Sequence, residues 1–307
     1  MTDYSELIPL SHKKSHIQLM VSMLIILVVS VTGLLLTLLS SWLFFGIAPG
    51  EAAIEPAGMP VKQIYYFKYL QAFQHLSIFL IPSVIIAYFM NRDIVSYLHA
   101  GNKPGLTAAF LSVLFIIFLM PLTGYLAWLN ESLHLPGWLE GLEVWMKEKE
   151  LQAERLTGIL LAATTLGGLL VNIIVIAILP ALGEEFLFRA VLQRIFTGWL
   201  GSGSLAVVLT AVLFSASHLQ FYGFLPRFVL GLAFGYMYLW SGNIWLPVLA
   251  HLVNNLIPVI LSFLTGWEKV NSRVAEFSAQ DGMLAIIPAS IAVLILYNIR
   301  KISTGDD

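Results

Sequence analysis

The chain has 307 residues, of which 58% are hydrophobic and only 11% are Asp, Glu, Lys or Arg, and its formal net charge is −2. Soluble domains carry about 25% charged residues. This composition therefore excludes an ordinary soluble core and requires lipid to cover much of the apolar surface. The near-neutral charge provides no electrostatic footprint for nucleic acid. Because the chain contains no cysteine, disulfide bonds, thiolate zinc sites and a cysteine nucleophile are excluded.

The first apolar segment, residues 19–46, contains no charged residue. It is far longer than the roughly 7–15-residue apolar core of a signal peptide, and no small-residue cleavage pattern follows it. We therefore expect this segment to be a retained membrane anchor.

Apolar segments of similar length recur along the chain, and a spanning helix needs about 20 mostly apolar residues. The pattern predicts an all-α, polytopic transmembrane bundle of about eight spans, in which the fifth and sixth are short and the fourth carries charges. The candidate spans are residues 19–46, 68–91, 105–129, 166–195, 203–219, 224–241, 243–264 and 283–300.

An even number of spans places both ends of the chain on the same side of the membrane. The short segments on that side contain Lys13, Lys14, Arg92, Lys103, Arg194, Arg300 and Lys301. The segments on the opposite side are longer and mix basic with acidic residues. The positive-inside rule therefore predicts cytoplasmic termini. We expect the membrane to be a bacterial plasma membrane.

A polar stretch near residues 138–156 interrupts the apolar pattern. Trp138, Leu142 and Trp145 recur there at helical spacing among charged residues. This spacing predicts an amphipathic helix at the membrane interface, although a solvated helical connector fits the same pattern. We expect three regions: residues 1–165 with three spans and the interfacial segment, a four-helix core over 166–264, and residues 265–307 with the last span and tail.

A small set of polar residues lies within the apolar core region. Between residues 157 and 266 the only acidic residues are Glu184 and Glu185, and the only histidines are His218 and His251. An ionisable group inside a bilayer costs about 3 kcal/mol or more, so it is normally paired and functional. Each residue taken alone has a structural interpretation, but together they favour a functional site.

Helical spacing predicts which of these groups meet. Glu185 and Arg189 are four residues apart, share a helix face and can form an ion pair. Glu184 points about 100° away from Glu185 and is free to face another group. Pro180, one turn earlier, removes a backbone donor and is expected to kink the helix beside these carboxylates.

The turns between spans predict the relative depths of the polar groups. Glu184 lies 17 residues before Gly201 and His218 lies 17 residues after it, so an antiparallel hairpin places both at one depth. His251 and Asn255 share a face of another helix, but His251 lies only nine residues beyond Gly242. It would then be about 12 Å shallower than Glu184 at 1.5 Å per residue. Either the Gly201 turn projects further, or the groups do not converge.

Several kinds of catalytic site are excluded by missing residues. No Asp occurs between Asp93 and Asp281, which excludes a Ser-His-Asp triad and an aspartyl dyad in the core region. The HExxH zinc signature is also absent. Ser217 beside His218 remains a possible nucleophile but has no orienting acid. The pattern therefore favours water activated by a carboxylate and an imidazole, with further hydrogen-bond donors for an oxyanion.

Three motifs, in this order, resemble those of the CAAX protease and bacteriocin-processing (CPBP, or Abi) membrane peptidases, particularly the Rce1 type. Glu184-Glu185-Phe-Leu-Phe-Arg189 is similar to their EExxxR motif, Phe214–His218 to FxxxH, and His251–Asn255 to HxxxN. The resemblance covers about residues 166–264. Ala190 stands where many members have glycine after the motif arginine, and its small side chain is compatible with the same close packing.

The resemblance implies an intramembrane endopeptidase of the glutamic type, whose substrates are membrane-associated or lipidated proteins. It implies that Glu184 and His218 activate water and that His251 and Asn255 form the oxyanion site. Glu185, Arg189 and Phe214 would support this geometry, with no metal required. A zinc site formed by Glu184, His218 and His251 would fit the same residues. A non-catalytic immunity or scaffold protein and a proton relay through Glu184 are also compatible with this pattern.

Overall fold

The computed structural model describes residues 9–47, 59–275 and 279–305. These residues form helices and no strands, which confirms the predicted all-α fold. The helices are α1 Ser15–Phe45, α2 Val61–Met90, α3 Ile94–Tyr97, α4 Leu106–Glu131, α5 Glu140–Leu161, α6 Leu166–Leu200, α7 Gly203–Ala216, α8 Phe224–Ser241, α9 Trp245–Thr265, α10 Trp267–Ala275 and α11 Ala279–Thr304.

Six helices of the described chain are long and apolar enough to cross a membrane, namely α1, α2, α4, α6, α9 and α11. The chain is thus an integral, multi-pass membrane protein, but the predicted count of eight spans is not confirmed. The predicted fifth and sixth spans are α7 and α8, with 14 and 18 residues. A helix of 14 residues is about 21 Å long and falls short of a hydrocarbon core about 30 Å thick.

Capping residues determine where the central helices begin and end. The side chain of Thr165 accepts a hydrogen bond from the Gly168 amide at the start of α6. Gly201 ends α6 with φ of 66°, a left-handed conformation that glycine adopts without a Cβ clash. Ser202 then caps α7 by accepting a hydrogen bond from the Leu205 amide. The chain therefore reverses tightly between α6 and α7.

Both α2 and α6 contain π-helical turns near prolines. One such turn covers Leu76–Leu80 and another covers Ile173–Ile178, and each ends two residues before a proline, Pro82 or Pro180. Proline lacks the amide hydrogen of an α-helical bond and its ring displaces the carbonyl one turn earlier, which favours local widening. The disturbance expected at Pro180 is thus observed as a wide turn just before the two carboxylates. A third π-helical turn, Phe186–Gln193, follows them directly.

The central helix α6 packs against α2, α7, α8 and α9, so side chains from all four converge on it. One hydrophobic cluster joins α2, α6 and α7, and a second joins α4, α8, α9 and α11. In contrast, α1 keeps most of its apolar side chains exposed, as expected for a lipid-facing helix.

Small residues permit close helix approach at two places. A Cβ at Gly231 would lie 3.0 Å from the Cα of Ala211, and one at Gly235 would lie 2.8 Å from a methyl carbon of Val207. Gly231 and Gly235, which form a GxxxG pattern, therefore allow α8 to pack closely against α7. A Cβ at Gly183 would lie 3.0 Å from the Cβ of Phe79, which brings α6 close to α2 just beside Glu184.

The predicted amphipathic helix is α5, which keeps Leu142 and Trp145 exposed. Glu143, in the first turn of α5, forms hydrogen bonds with the preceding loop. The Glu143 carboxylate accepts hydrogen bonds from the Leu135 amide at 2.9 Å, from His134 Nδ1 at 3.1 Å and from Lys147 Nζ at 2.7 Å. Chiefly through Lys147 and His134, these donors lower the pKa of Glu143 to about 2.

We expect Gly231→Val to destabilise the α7–α8 contact, because its side chain would meet the Ala211 backbone. Overpacking of this kind costs about 1–3 kcal/mol. Thermal unfolding in detergent should show a lower Tm for this variant. The matched control is Gly167→Val, since nothing lies within 4 Å of a Cβ at Gly167. An equal Tm for both variants would contradict the assigned packing.

We expect Glu143→Ala to speed hydrogen exchange at the Leu135 amide several-fold, while Glu148→Ala on the same exposed surface leaves it unchanged. Because the pKa of Glu143 is lowered to about 2 from 4.5, its contribution is complete above about pH 4.5 and is lost as pH falls toward 2. In the wild type, the protection of the Leu135 amide, corrected for intrinsic exchange, should therefore decrease as the pH falls through this range. Protection that persists at pH 2 would rule out the carboxylate as its source.

Candidate active site

Two adjacent carboxylates on α6 form the centre of the polar cluster. Glu184 and Glu185 are both buried, at 4% and 0% exposure. They lie between the π-helical turn before Pro180 and the one that begins at Phe186. Neighbouring residues on a helix point about 100° apart, so each carboxylate meets a different set of side chains.

Glu185 links Arg189 to His251. Its Oε2 lies 2.9 Å from Arg189 Nε, which is the ion pair predicted from their spacing, and its Oε1 accepts a hydrogen bond from His251 Nδ1 at 2.9 Å. A carboxylate that bridges two donors fixes the orientation of both. Glu185 therefore sets the rotamer of the histidine on α9.

The Arg189 guanidinium is fully buried and is surrounded by aromatic rings. Its Cζ lies 5.1 Å from the ring centre of Phe214, 5.9 Å from Phe188 and 6.0 Å from Phe234. Rings at this distance attract a cation electrostatically. Its terminal nitrogens have no hydrogen-bond partner within the described chain, so its charge is balanced by Glu185 and by these rings.

Glu184 lies between two histidines from different helices. Its Oε1 lies 3.2 Å from Nε2 of His75 on α2, and its Oε2 lies 3.9 Å from Nε2 of His251. Oε2 has no hydrogen-bond partner among the residues that the structure describes. His218 also interacts electrostatically with this carboxylate. One oxygen of Glu184 is thus hydrogen-bonded, whereas the other is buried without a hydrogen-bond partner and lies near His251.

His218 follows the end of α7 and is held by its own motif. Its Nδ1 donates to the Phe214 carbonyl at 2.9 Å, since a carbonyl can only accept, and this leaves Nε2 free. The Phe214 ring lies 5.2 Å from the ring of His218 and 5.9 Å from that of His251. Phe214 therefore packs against both imidazoles and against Arg189.

Ser217 and Leu219 lie on either side of His218 in the sequence. Ser217 donates its hydroxyl to the Phe214 carbonyl at 2.8 Å, so this proton is not directed at His218. Leu219 has φ of 53°, a left-handed conformation that is unfavourable for a branched residue. The strained residue reverses the chain directly after His218.

His251 reaches the depth of both carboxylates, which answers the question left open by the turn positions. Because it contacts Glu184 and Glu185, the Gly201 turn must project further from the site than the Gly242 turn. Asn255 lies one turn further along α9 and is half-buried. Its Oδ1 accepts from Asn254 Nδ2 at 3.2 Å, which leaves its own amide protons available.

His75 belongs to this cluster, although reasoning from the motifs missed it because all three lie between residues 157 and 266. The residue is 109 positions before Glu184. A signal was nevertheless present, since His75 is a titratable residue within a candidate span, residues 68–91. Such residues are functional candidates by position alone.

The candidate zinc ligands Glu184, His218 and His251 lie in one region of the fold. In the part of the chain that the structure describes, however, no group of three or more His, Asp or Glu side chains has an arrangement that could hold a metal ion. Two nitrogens that a metal could use, Nδ1 of His218 and of His251, are engaged by Phe214 and Glu185.

A polar cavity of about 670 Å³ lies between the end of α4, α5, the α7–α8 turn and α10, and it is lined mainly by charged and polar side chains. Arg227, in its wall, interacts electrostatically with Glu150 in the cavity and with Glu184 in the cluster. Burial raises the pKa of Glu150, whose carboxylate accepts a hydrogen bond from the Tyr222 amide. The link between the cavity and the carboxylate site is therefore Arg227, which interacts with an acidic residue of each.

Comparison with known proteins gives one family match. Residues 166–257 match the family model described as "Type II CAAX prenyl endopeptidase Rce1-like". No curated protein and no solved structure matches the chain. The matched segment includes Glu184, Glu185, Arg189, His218 and His251, and it ends two residues after Asn255. Residues 166–257 are therefore similar to the Rce1-like domain of type II CAAX prenyl endopeptidases, and all the motif residues lie within this matched segment.

Proposed function

We propose that this protein is an intramembrane endopeptidase that hydrolyses peptide bonds of membrane-associated or lipidated, CAAX-type substrates. The matched family is a protease family, and the multi-pass architecture provides a site inside the bilayer. The observation that carries the proposal is the Oε2 of buried Glu184, which has no hydrogen-bond partner and lies 3.9 Å from His251 Nε2, in a carboxylate that also interacts electrostatically with His218.

In the proposed reaction, a water molecule lies between Glu184 Oε2 and His218 Nε2. The Glu184 carboxylate accepts a proton from this water as its oxygen forms a bond to the substrate carbonyl carbon. The hydrogen bond from His218 Nδ1 to the Phe214 carbonyl supports this role, because it leaves Nε2 as the acceptor that orients the water. The protonated Glu184 then donates the proton to the leaving amine as the peptide bond breaks.

The tetrahedral intermediate carries an oxyanion that needs hydrogen-bond donors. We assign this role to His251 Nε2–H and to the Asn255 side-chain amide, which share one face of α9. Donation from His251 Nδ1 to Glu185 supports the assignment, since it fixes the ring so that Nε2 lies on the side of Glu184 Oε2. Arg189 balances the charge of Glu185, so the buried groups are not left with an excess of negative charge.

Substrate access is assigned to the polar cavity between α4, α5, the α7–α8 turn and α10. Its volume of about 670 Å³ can admit an extended peptide segment, and the short α7 leaves its end open within the membrane thickness. The six long helices of the described residues keep the number of spans even, which supports both termini on one side of the membrane, and we assign that side to the cytoplasm from its basic residues.

We expect Glu184→Gln and His218→Asn to lower kcat by about 10²- to 10⁴-fold, the range for loss of a general base. The assay uses the purified protein in lipid vesicles and CAAX-type peptides with and without a prenylated cysteine, and mass spectrometry maps the cleavage site. Glu148→Gln, on the exposed surface of α5, should match the wild type. Cleavage by Glu184→Gln at the wild-type rate would refute the proposal and favour a non-catalytic role.

We expect turnover to persist after exhaustive treatment with metal chelators, because the proposed nucleophile is water activated by Glu184 and His218 alone. Residual metal should be measured in the same samples by mass spectrometry. Loss of activity that is restored by Zn²⁺ would overturn this part of the proposal. It would instead support Glu184, His218 and His251 as ligands of an open catalytic zinc site.

A further inference from the structure

His75 makes a direct contact with the carboxylate at the centre of the proposed reaction. Its Nε2 lies 3.2 Å from Glu184 Oε1, and the residue is buried, with 8% of its surface exposed. It comes from α2, which precedes the Rce1-like domain in the chain. The cluster around Glu184 is therefore completed by a helix outside the segment that contains the motifs.

The partners of the other ring nitrogen indicate where the His75 proton lies. Nδ1 lies 3.1 Å from the Gln71 backbone carbonyl, which can only accept, and 3.1 Å from the Gln71 side-chain amide nitrogen, which can only donate. If the amide donates to Nδ1, a neutral ring carries its proton on Nε2. If the carbonyl accepts from Nδ1, an ion pair with Glu184 needs a proton on both nitrogens. Either arrangement presents an Nε2–H to an ionised Glu184.

This donor selects one of the two carboxylate oxygens. Because Oε1 is occupied by His75, the unpartnered Oε2 is the one that faces His251. Without the donor, rotation about the last side-chain bond of Glu184 would exchange the two oxygens. The contact with His75 therefore fixes which oxygen can accept a proton from water.

The fold holds this contact through two local features. The π-helical turn Leu76–Leu80 begins directly after His75, and the Phe79 ring lies 5.4 Å from the imidazole. Gly183, next to Glu184, has no Cβ. A Cβ placed there would lie only 3.0 Å from the Cβ of Phe79, so the glycine permits this approach. The close approach of α2 and α6 at Gly183 and Phe79 thus lies beside the residues that form the hydrogen bond.

We propose that His75 is a positioning residue of the peptidase, donating a hydrogen bond from Nε2 to Glu184 Oε1 so that Oε2 remains free to activate water. This inference rests on the proposed function. His75 acts through Glu184 and does not itself contact the substrate. Its removal should therefore affect the chemical step and leave substrate binding unchanged.

The test compares His75→Asn, whose amide is too short to reach Glu184, with His75→Gln, whose longer side chain keeps a donor within reach. We expect His75→Asn to lower kcat by about 10- to 100-fold, the size expected for loss of a hydrogen bond to an ionised group. KM should stay within about twofold of the wild type. His75→Gln should recover most of the lost kcat.

The matched control is His99→Asn. His99 also joins two parts of the fold, through Nδ1 to the Gly242 carbonyl and through contact with Tyr238, but the structure gives it no contact with Glu184. Its left-handed φ of 54° is tolerated by Asn. Thermal unfolding in detergent reports the structural cost of each variant. We expect His99→Asn to keep the wild-type kcat even if its Tm falls.

The outcomes separate this inference from the proposed function. If Glu184→Gln is inactive while His75→Asn keeps the wild-type kcat, the positioning role is wrong and the peptidase proposal stands. A rise in KM with unchanged kcat would also overturn it, because that pattern means loss of substrate binding. If Glu184→Gln cleaves as well as the wild type, the proposed function itself fails.

Discussion

The arrangement of this protein depends on the burial of two adjacent carboxylates in an apolar helix bundle. A buried charge is tolerated only where opposite charges and hydrogen-bond donors surround it. Glu185 meets this requirement through Arg189 and His251, and Glu184 through His75 and the nearby histidines. Since these partners come from several helices, neutralising the two carboxylates also determines how α2, α7 and α9 pack around α6.

Close helix approach is the second condition that the site requires. Side chains such as histidine and glutamate span only a few ångströms, so the backbones that carry them must lie near each other. Gly183 brings α2 against α6, and the Gly231–Gly235 pair brings α8 against α7. The Phe214 ring fills the space that remains and contacts Arg189 as well as two imidazoles. Glycines and one aromatic ring thus control the geometry of the polar groups.

Water must enter a bilayer-embedded site if hydrolysis is to occur there. The short α7 ends after 14 residues, and the strained Leu219 reverses the chain directly beyond His218. A polar cavity borders this turn, with Arg227 interacting with charges on both sides. The turn that follows His218 thus leads to residues that line this cavity, Tyr222 and Arg227 among them.

Composition and helical spacing are local properties, and they were enough to predict the membrane class and the all-helical fold. Four-residue spacing alone predicted the Glu185–Arg189 pair, which the structure contains. The eight predicted spans are not confirmed, because apolar composition does not distinguish the shorter helices α7 and α8 from full-length spans. In contrast, the depth of His251 and the contact of His75 with Glu184 emerged only from the folded bundle. The depth depends on how far the Gly201 turn projects, and the His75 contact joins residues 109 positions apart. Neither follows from local spacing, since both depend on how separate helices pack against one another.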